Sequence, residues 1–196
     1  MDIRLLHGPA IAPHIDDLAR LRIAVFREFP YLYDGSLDYE AEYLHTYAQS
    51  ADSLFVLALD RGRVVGASTG LPLADETAEF QRPFVDGGWN PQRLFYFGES
   101  VLLPAYRGQG LGVRFFAERE GYARHLGRFA YCAFCAVERP PEHPRRPLDY
   151  QPLNEFWARR GYRHHPELHT ELSWQDLDES AASAKPMSFW LKDLRP

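Results

Sequence analysis

The chain has 196 residues, 45% hydrophobic and 14% aromatic, which is too apolar for a disordered segment and enough for one domain with its own core. Its net charge of -5 excludes a protein that coats phosphate backbones, because that work needs a surplus of Lys and Arg, so no nucleic-acid partner is expected. The N-terminus, Met1-Asp2-Ile3-Arg4, lacks the apolar stretch of a signal peptide, and the longest apolar run, Ala130 to Val137, is too short to span a bilayer; a soluble cytoplasmic protein with no membrane partner is predicted.

In chain order, Asp2 to Leu6 reads as a short strand, Gly8-Pro9 breaks it, and a helical pattern runs from Ile15 through Leu18, Leu21 and Val25 to Phe26. Phe29 to Gly35 is an aromatic loop, and Leu37 to Ala48 is a second helix with Tyr39, Tyr43 and Tyr47 on one stripe. Ser53 to Leu59 and Val64 to Leu71, separated by Asp60-Arg61-Gly62-Arg63, spell a β-hairpin. The stretch 72–90 is a connection with a short helix around Glu76 to Phe80 and a break at Gly87-Gly88. A strand over Arg93 to Leu103, a helix over Gly110 to Leu126 and a strand over Arg128 to Val137 then form a β-α-β unit. After a Pro- and Arg-rich loop at 138–152 come a short helix, Leu153 to Arg160, stopped by Gly161, and two strands near Thr170 to Trp174 and Met187 to Leu191. The order β-α-α-β-β-β-α-β-α-β-β predicts an α+β fold, a mixed sheet flanked by helices, in a single domain over residues 1–196.

Two motifs are set aside. Cys132 and Cys135 form a C-x-x-C, yet in a β-like run an odd separation of three points them to opposite faces, so core packing is expected rather than a redox pair. His164, His165 and His169 have no carboxylate or Cys at ligand spacing, and no metal is predicted.

The chemistry concentrates between Glu99 and Phe116. A strand ends at Pro104, and a glycine-containing turn opens directly into a helix whose first amides lack intrahelical partners. Unpaired N–H groups and the positive end of the helix dipole favour a phosphate there, and glycines let it approach the backbone. A dinucleotide-binding G-x-G-x-x-G would need glycine where Val113 stands, and a Walker loop would need G-K-[ST]; neither fits.

What fits is R-x-x-G-x-G at Arg107, Gly110 and Gly112, and here the chain resembles the GNAT superfamily of acyl-CoA-dependent N-acetyltransferases. The motif follows Leu102-Leu103-Pro104, similar to the family's V/L-x-P strand end. Asn154, Phe156-Trp157 and Gly161-Tyr162 resemble its later N-x-x-(apolar)-x-x-x-G-[FY] helix, and Met187 to Leu194 resembles its closing strand. The resemblance implies a mixed, mostly antiparallel twisted sheet and acetyl-CoA as co-substrate. It places the cofactor on Val101, Leu102, Leu103, Arg107, Gly108, Gln109, Gly110, Leu111, Gly112, Asn154 and Trp157. It further implies an amine acceptor, small molecule or peptide, and such domains commonly pair as homodimers.

Acetyl transfer to an amine needs a base, a site for the oxyanion and a proton for the leaving thiolate. Strand alternation puts Glu99 on one face with Phe97, Val101 and Leu103, an apolar setting that predicts a raised pKa and marks it as the base; the competing reading is a structural salt bridge to an arginine. The resemblance assigns the oxyanion to the backbone N–H of Leu102. Many relatives carry a Tyr where Trp157 stands, and an indole N–H is no usable proton donor, which leaves Tyr150, Tyr131, Tyr106 or water. For the acceptor, Phe29, Tyr31 and Tyr33 with Asp34 suggest an aromatic box with an anion, alongside Glu99 and Tyr150; an aromatic core plug is the alternative. Arg139, Arg145 and Arg146 suggest recognition of a carboxylate or of the cofactor's 3′-phosphate. A non-catalytic acyl-CoA sensor of the same fold is the alternative function.

Overall fold

The computed structural model describes residues 1–195. Its sheet grows from the hairpin of β2 (Leu54–Asp60) and β3 (Arg63–Pro72), whose turn puts Arg61 and Gly62 at φ of 49° and 82°, a twist that suits a two-residue hairpin loop. β1 (Asp2–His7) pairs antiparallel with β2, and β4 (Leu94–Tyr96) and β5 (Ser100–Leu102) both pair antiparallel with β3. β6 (Tyr131–Val137) runs parallel to β4, and β8 (Ser183–Asp193) and β7 (Arg163–Trp174) extend the sheet antiparallel beyond it. The result is an eight-stranded, mostly antiparallel sheet in the order β1-β2-β3-β4-β6-β8-β7, with β5 beside β3.

Helices cover both faces. α1 (Ile15–Phe26), α2 (Leu37–Gln49) and α3 (Ala78–Asp86) bury Leu18, Leu21, Leu44, Tyr47, Phe80 and Phe84 against one side of the sheet. α4 (Leu111–His125) buries Leu111, Phe115 and Phe116 against the other, where Phe156 and Trp157 of α5 (Asn154–Ala158) pack on the same cluster. Each face is thus an apolar helical stripe laid on alternating strand residues. Cys132 is buried on the α4 side and Cys135 packs against the α1 side, as their odd spacing requires; both are free.

The structure differs from the sequence reading at three places. The strand expected over Arg93 to Leu103 is two, both on β3. Gly98 N–H donates to Thr69 O (3.2 Å) and Thr69 N–H donates to Glu99 O (3.1 Å), a bulge that sets one extra residue against β3, while pairing with β6 ends where Phe97 N–H donates to Ala133 O (2.8 Å). The short helix around Glu76 to Phe80 becomes α3, which runs on through Pro83 to Asp86 so that Phe80 and Phe84 bury on one face. β7 starts at Arg163 rather than near Thr170, its register broken between His165 and His169, where Pro166 interrupts the strand pattern.

Candidate active site

The bulge at Gly98 and Glu99 carries β5 on along β3 and away from β6, which stays paired with β8, and the gap between β5 and β6 is the mouth of a cleft of about 1400 Å³. Thr69 N–H donates to Glu99 O (3.1 Å) and Leu103 N–H to Val65 O (3.0 Å). In an antiparallel ladder such bonds fall on alternate residues, so the N–H groups of Ser100 and Leu102 point away from β3, into the gap. The Leu102 amide is therefore free of β3 and faces the gap, whereas that of Leu103 is spent inside the sheet.

At one end of the cleft stands the N-terminus of α4. Gly110 holds φ at 81° and Gly108 at 73°, conformations that side chains with a Cβ rarely adopt, and a Cβ at either would meet nothing within 4 Å. These glycines serve backbone shape, and they leave the outer surface of the loop open. No side chain caps the helix, so its first amides face outward with the dipole behind them. Arg107 lines the cleft while its hydrogen bonds go to the protein: Nε donates to Leu102 O (3.1 Å) and Nη1 to Glu28 (2.8 Å), so it braces the loop against α1's exit. Gln109 likewise ties the loop to Ala105 O at 3.1 Å.

Leu102, Gly108, Gly110, Gly112, Asn154 and Trp157 all border the cleft. Val101 is fully buried and Leu111 nearly so, and neither lines the cleft, contrary to the expectation that they touch the cofactor. Trp157 packs at 5.0 Å from Phe134 and 5.1 Å from Trp190, an apolar wall.

Glu99 borders the cleft with its side chain 1% exposed, but its surroundings are not the apolar face expected from strand alternation. The extra residue of the bulge reverses the alternation, so that Phe97 packs under α4 while Val101 packs under α1 and α2. Glu99 meets Arg22 of α1, Oε2 to Nη1 at 2.6 Å, and Arg22 also binds Glu40 of α2. The salt-bridge reading of Glu99 is the one the geometry realises, yet its Oε1 has no hydrogen-bond partner in the protein. The two carboxylates hold the Arg22 guanidinium well above its ordinary pKa despite its burial.

Of the aromatic residues expected around the acceptor, Phe29, Tyr31 and Tyr150 line the cleft. Phe29 meets Tyr150 edge-on at 4.7 Å, which joins the loop after α1 to the Pro-rich loop. Arg139 fixes this wall by donating to Pro30 O (2.7 Å) and Tyr31 O (2.8 Å) while gripping Asp176. Tyr33 instead bridges to Asp176 and lies against Glu40, and Asp34 pairs with Arg27 at 3.3 Å, so the four-residue box does not form. Among the tyrosines weighed as proton donors, Tyr106 donates to Asp60 (2.8 Å) and Tyr131 lies at a separate recess near Trp89; Tyr150 alone of the three borders the cleft.

Sequence reasoning missed Arg22, Ser100 and Arg119. Arg22 follows Leu18 by four residues and Arg119 follows Phe115 by four, so each is a charge placed on an apolar helical stripe, a signal that was there to be read.

A sheet that splays beside an uncapped glycine-led helix makes a cleft whose one end suits a phosphate. The Acetyltransferase (GNAT) family model matches residues 18–148, and the chain belongs to that family, which makes it an acyltransferase. Similar solved structures include a ribosomal-protein-alanine N-acetyltransferase from Brucella melitensis, with a TM-score of 0.64 and 13% identity, covering 98% of this chain and 99% of that one. An aminoglycoside 6'-N-acetyltransferase complexed with coenzyme A gives a TM-score of 0.60 at 16% identity, covering 100% and 98%. A GNAT-family acetyltransferase from Staphylococcus aureus Mu50 gives 0.61 at 13%, covering 99% and 100%. No curated protein matches the sequence. No helix among the described residues is long and apolar enough to cross a membrane.

Proposed function

We propose that this protein, acting as one domain in the cytoplasm, moves the acetyl group of acetyl-CoA to a primary amine of a small molecule or peptide by direct attack in a ternary complex. The observation that carries this reading is that the uncapped start of α4, the free amide edge of β5 and the Glu99 carboxylate all open on one cleft. The amides from Gly110 onward hold the diphosphate of coenzyme A, which supplies an acetyl group activated as a thioester. The Leu102 N–H accepts the charge that develops on the acetyl oxygen, and because it is fixed by the strand it costs no reorganisation.

Glu99 and Glu40 set two carboxylates against one guanidinium, and the remaining negative charge draws an ammonium ion to the cleft. Glu99 Oε1, free of protein partners, takes the proton that the amine must lose. Phe29, Tyr31 and Tyr150 form the apolar side of the acceptor site and exclude water from the reacting atoms.

The test is release of coenzyme A thiol from acetyl-CoA over a panel of a polyamine, an aminoglycoside and a peptide with an N-terminal alanine. Amine-dependent release with at least one of them is expected. Tight acetyl-CoA binding with no release for any amine would instead establish an acyl-CoA sensor.

A further inference from the structure

Arg119 sits on the apolar stripe of α4 and is 1% exposed, among the largest fully buried side chains. Its guanidinium lies 4.0 Å from the Phe97 ring centre and 5.0 Å from that of Phe116. All of its hydrogen bonds go to uncharged oxygens: Phe115 O (3.2 Å), Thr69 O (3.2 Å), Glu99 O (3.0 Å) and Ser100 Oγ (2.7 Å). Burial draws its pKa down to about 10, which still leaves a cation at neutral pH. A buried charge bonded only to neutral groups acts on its surroundings more strongly than one cancelled by a carboxylate.

Of those four oxygens, three are carbonyls and only Ser100 Oγ carries a hydrogen of its own. Since Oγ accepts from Nη2, the hydroxyl proton must point elsewhere, and Ser100 is exposed on the cleft beside Glu99. Accepting a bond from a cation strengthens a hydroxyl as a donor, because hydrogen bonds in a chain polarise one another. Trp157, which also lines the cleft, carries an indole N–H that is too weak an acid to transfer its proton to a sulfur anion.

We propose that Ser100, polarised by Arg119, donates a hydrogen bond to the sulfur of coenzyme A and so stabilises the departing thiolate. The inference rests on the acetyl-transfer reading and deepens it by supplying the leaving-group contact which that reading lacked. As the amine nitrogen bonds to the acetyl carbon, the C–S bond breaks and its electron pair leaves on sulfur. The acceptor ammonium loses one proton to solvent before it attacks, and the proton the nitrogen sheds on forming the amide passes to Glu99 and from there to solvent. The thiolate later takes one from water, and Ser100 keeps its own throughout. Ser100 is a catalytic residue in this scheme, and Arg119 is a positioning residue acting through it.

The test needs no acceptor amine. Coenzyme A is titrated in its binary complex by the ultraviolet absorbance of the thiolate, with the desulfo-coenzyme A complex as blank. In the wild type the bound thiol is expected to titrate at least about one pH unit below free coenzyme A, a tenfold gain in acidity. Ser100→Ala returns it towards the free value with coenzyme A affinity changed less than about threefold, and Ser100→Thr, which keeps the hydroxyl, retains the lowered value. Arg119→Gln raises it as Ser100→Ala does; should that variant fail to fold, the two Ser100 variants decide. A wild-type thiol that titrates like free coenzyme A, or one that Ser100→Ala leaves unmoved, overturns the proposal. Failure of coenzyme A to bind at all strikes the acetyl-transfer reading instead.

Discussion

Glu99 is salt-bridged to Arg22, and because Arg22 also binds Glu40 the pair of carboxylates carries one negative charge more than the guanidinium balances. Replacing Glu99 with Gln leaves the Arg22–Glu40 pair whole, so no buried charge is stranded and the fold is retained. The substitution removes the proton acceptor, and kcat in the thiol-release assay is expected to fall by about 100-fold or more while acetyl-CoA affinity holds. An unchanged kcat would return Glu99 to a purely structural role. The sequence showed Glu99 as an acid in an apolar strand, but its partner comes from a helix 77 positions earlier, and periodicity within one strand says nothing of what another element brings to it. The same limit explains Tyr33: its ring fits an aromatic box by composition, and only the bridge to Asp176 shows that it faces elsewhere.

At the level of elements, the site depends on β4 and β5 parting at Gly98. A Cβ there would stand 2.2 Å from Tyr47 Oη and 2.8 Å from Thr69 Oγ1, and Tyr47 cannot retreat because its hydroxyl donates to the buried Glu76 at 2.5 Å. Gly98→Val should therefore cost about 1–3 kcal/mol in chemical denaturation and lower kcat by moving Glu99 and Ser100; equal stability would show that the chain does not need this close approach. The hairpin, α1 and α4 were legible because each is local: Arg61-Gly62 makes the turn, and Ile15 to Phe26 and Gly110 to Leu126 carry their own periodicity. The bulge that divides the strand and the end of its pairing with β6 are decided by the registers of β3 and β6, which periodicity within one strand does not show. Glycine at 98 was the one local sign of it.

Across the whole molecule, the sheet order places the single parallel pair, β4 with β6, next to the antiparallel β3 with β5, and the cleft opens where those two arrangements diverge. α4 covers one side of that divide and α1 the other, and in the proposed reaction a donor anchored at Gly110 and an acceptor drawn to Glu99 would meet at the free edge of β5. The order of elements predicted this class of fold, and the glycine loop predicted the donor; the acceptor wall, built from two loops joined through Arg139, follows from contacts more than a hundred residues apart. The central claim is that the start of α4 holds coenzyme A. Isothermal calorimetry of coenzyme A with the wild-type chain and with Gly110→Val tests it most directly. The wild type should bind, with a stability gain of about 2.7 kcal/mol at a hundredfold excess over Kd, and Gly110→Val, forced from a φ of 81°, should bind at least about tenfold more weakly. A wild-type chain with no heat of binding, or a variant that binds as well as the wild type, would contradict the account.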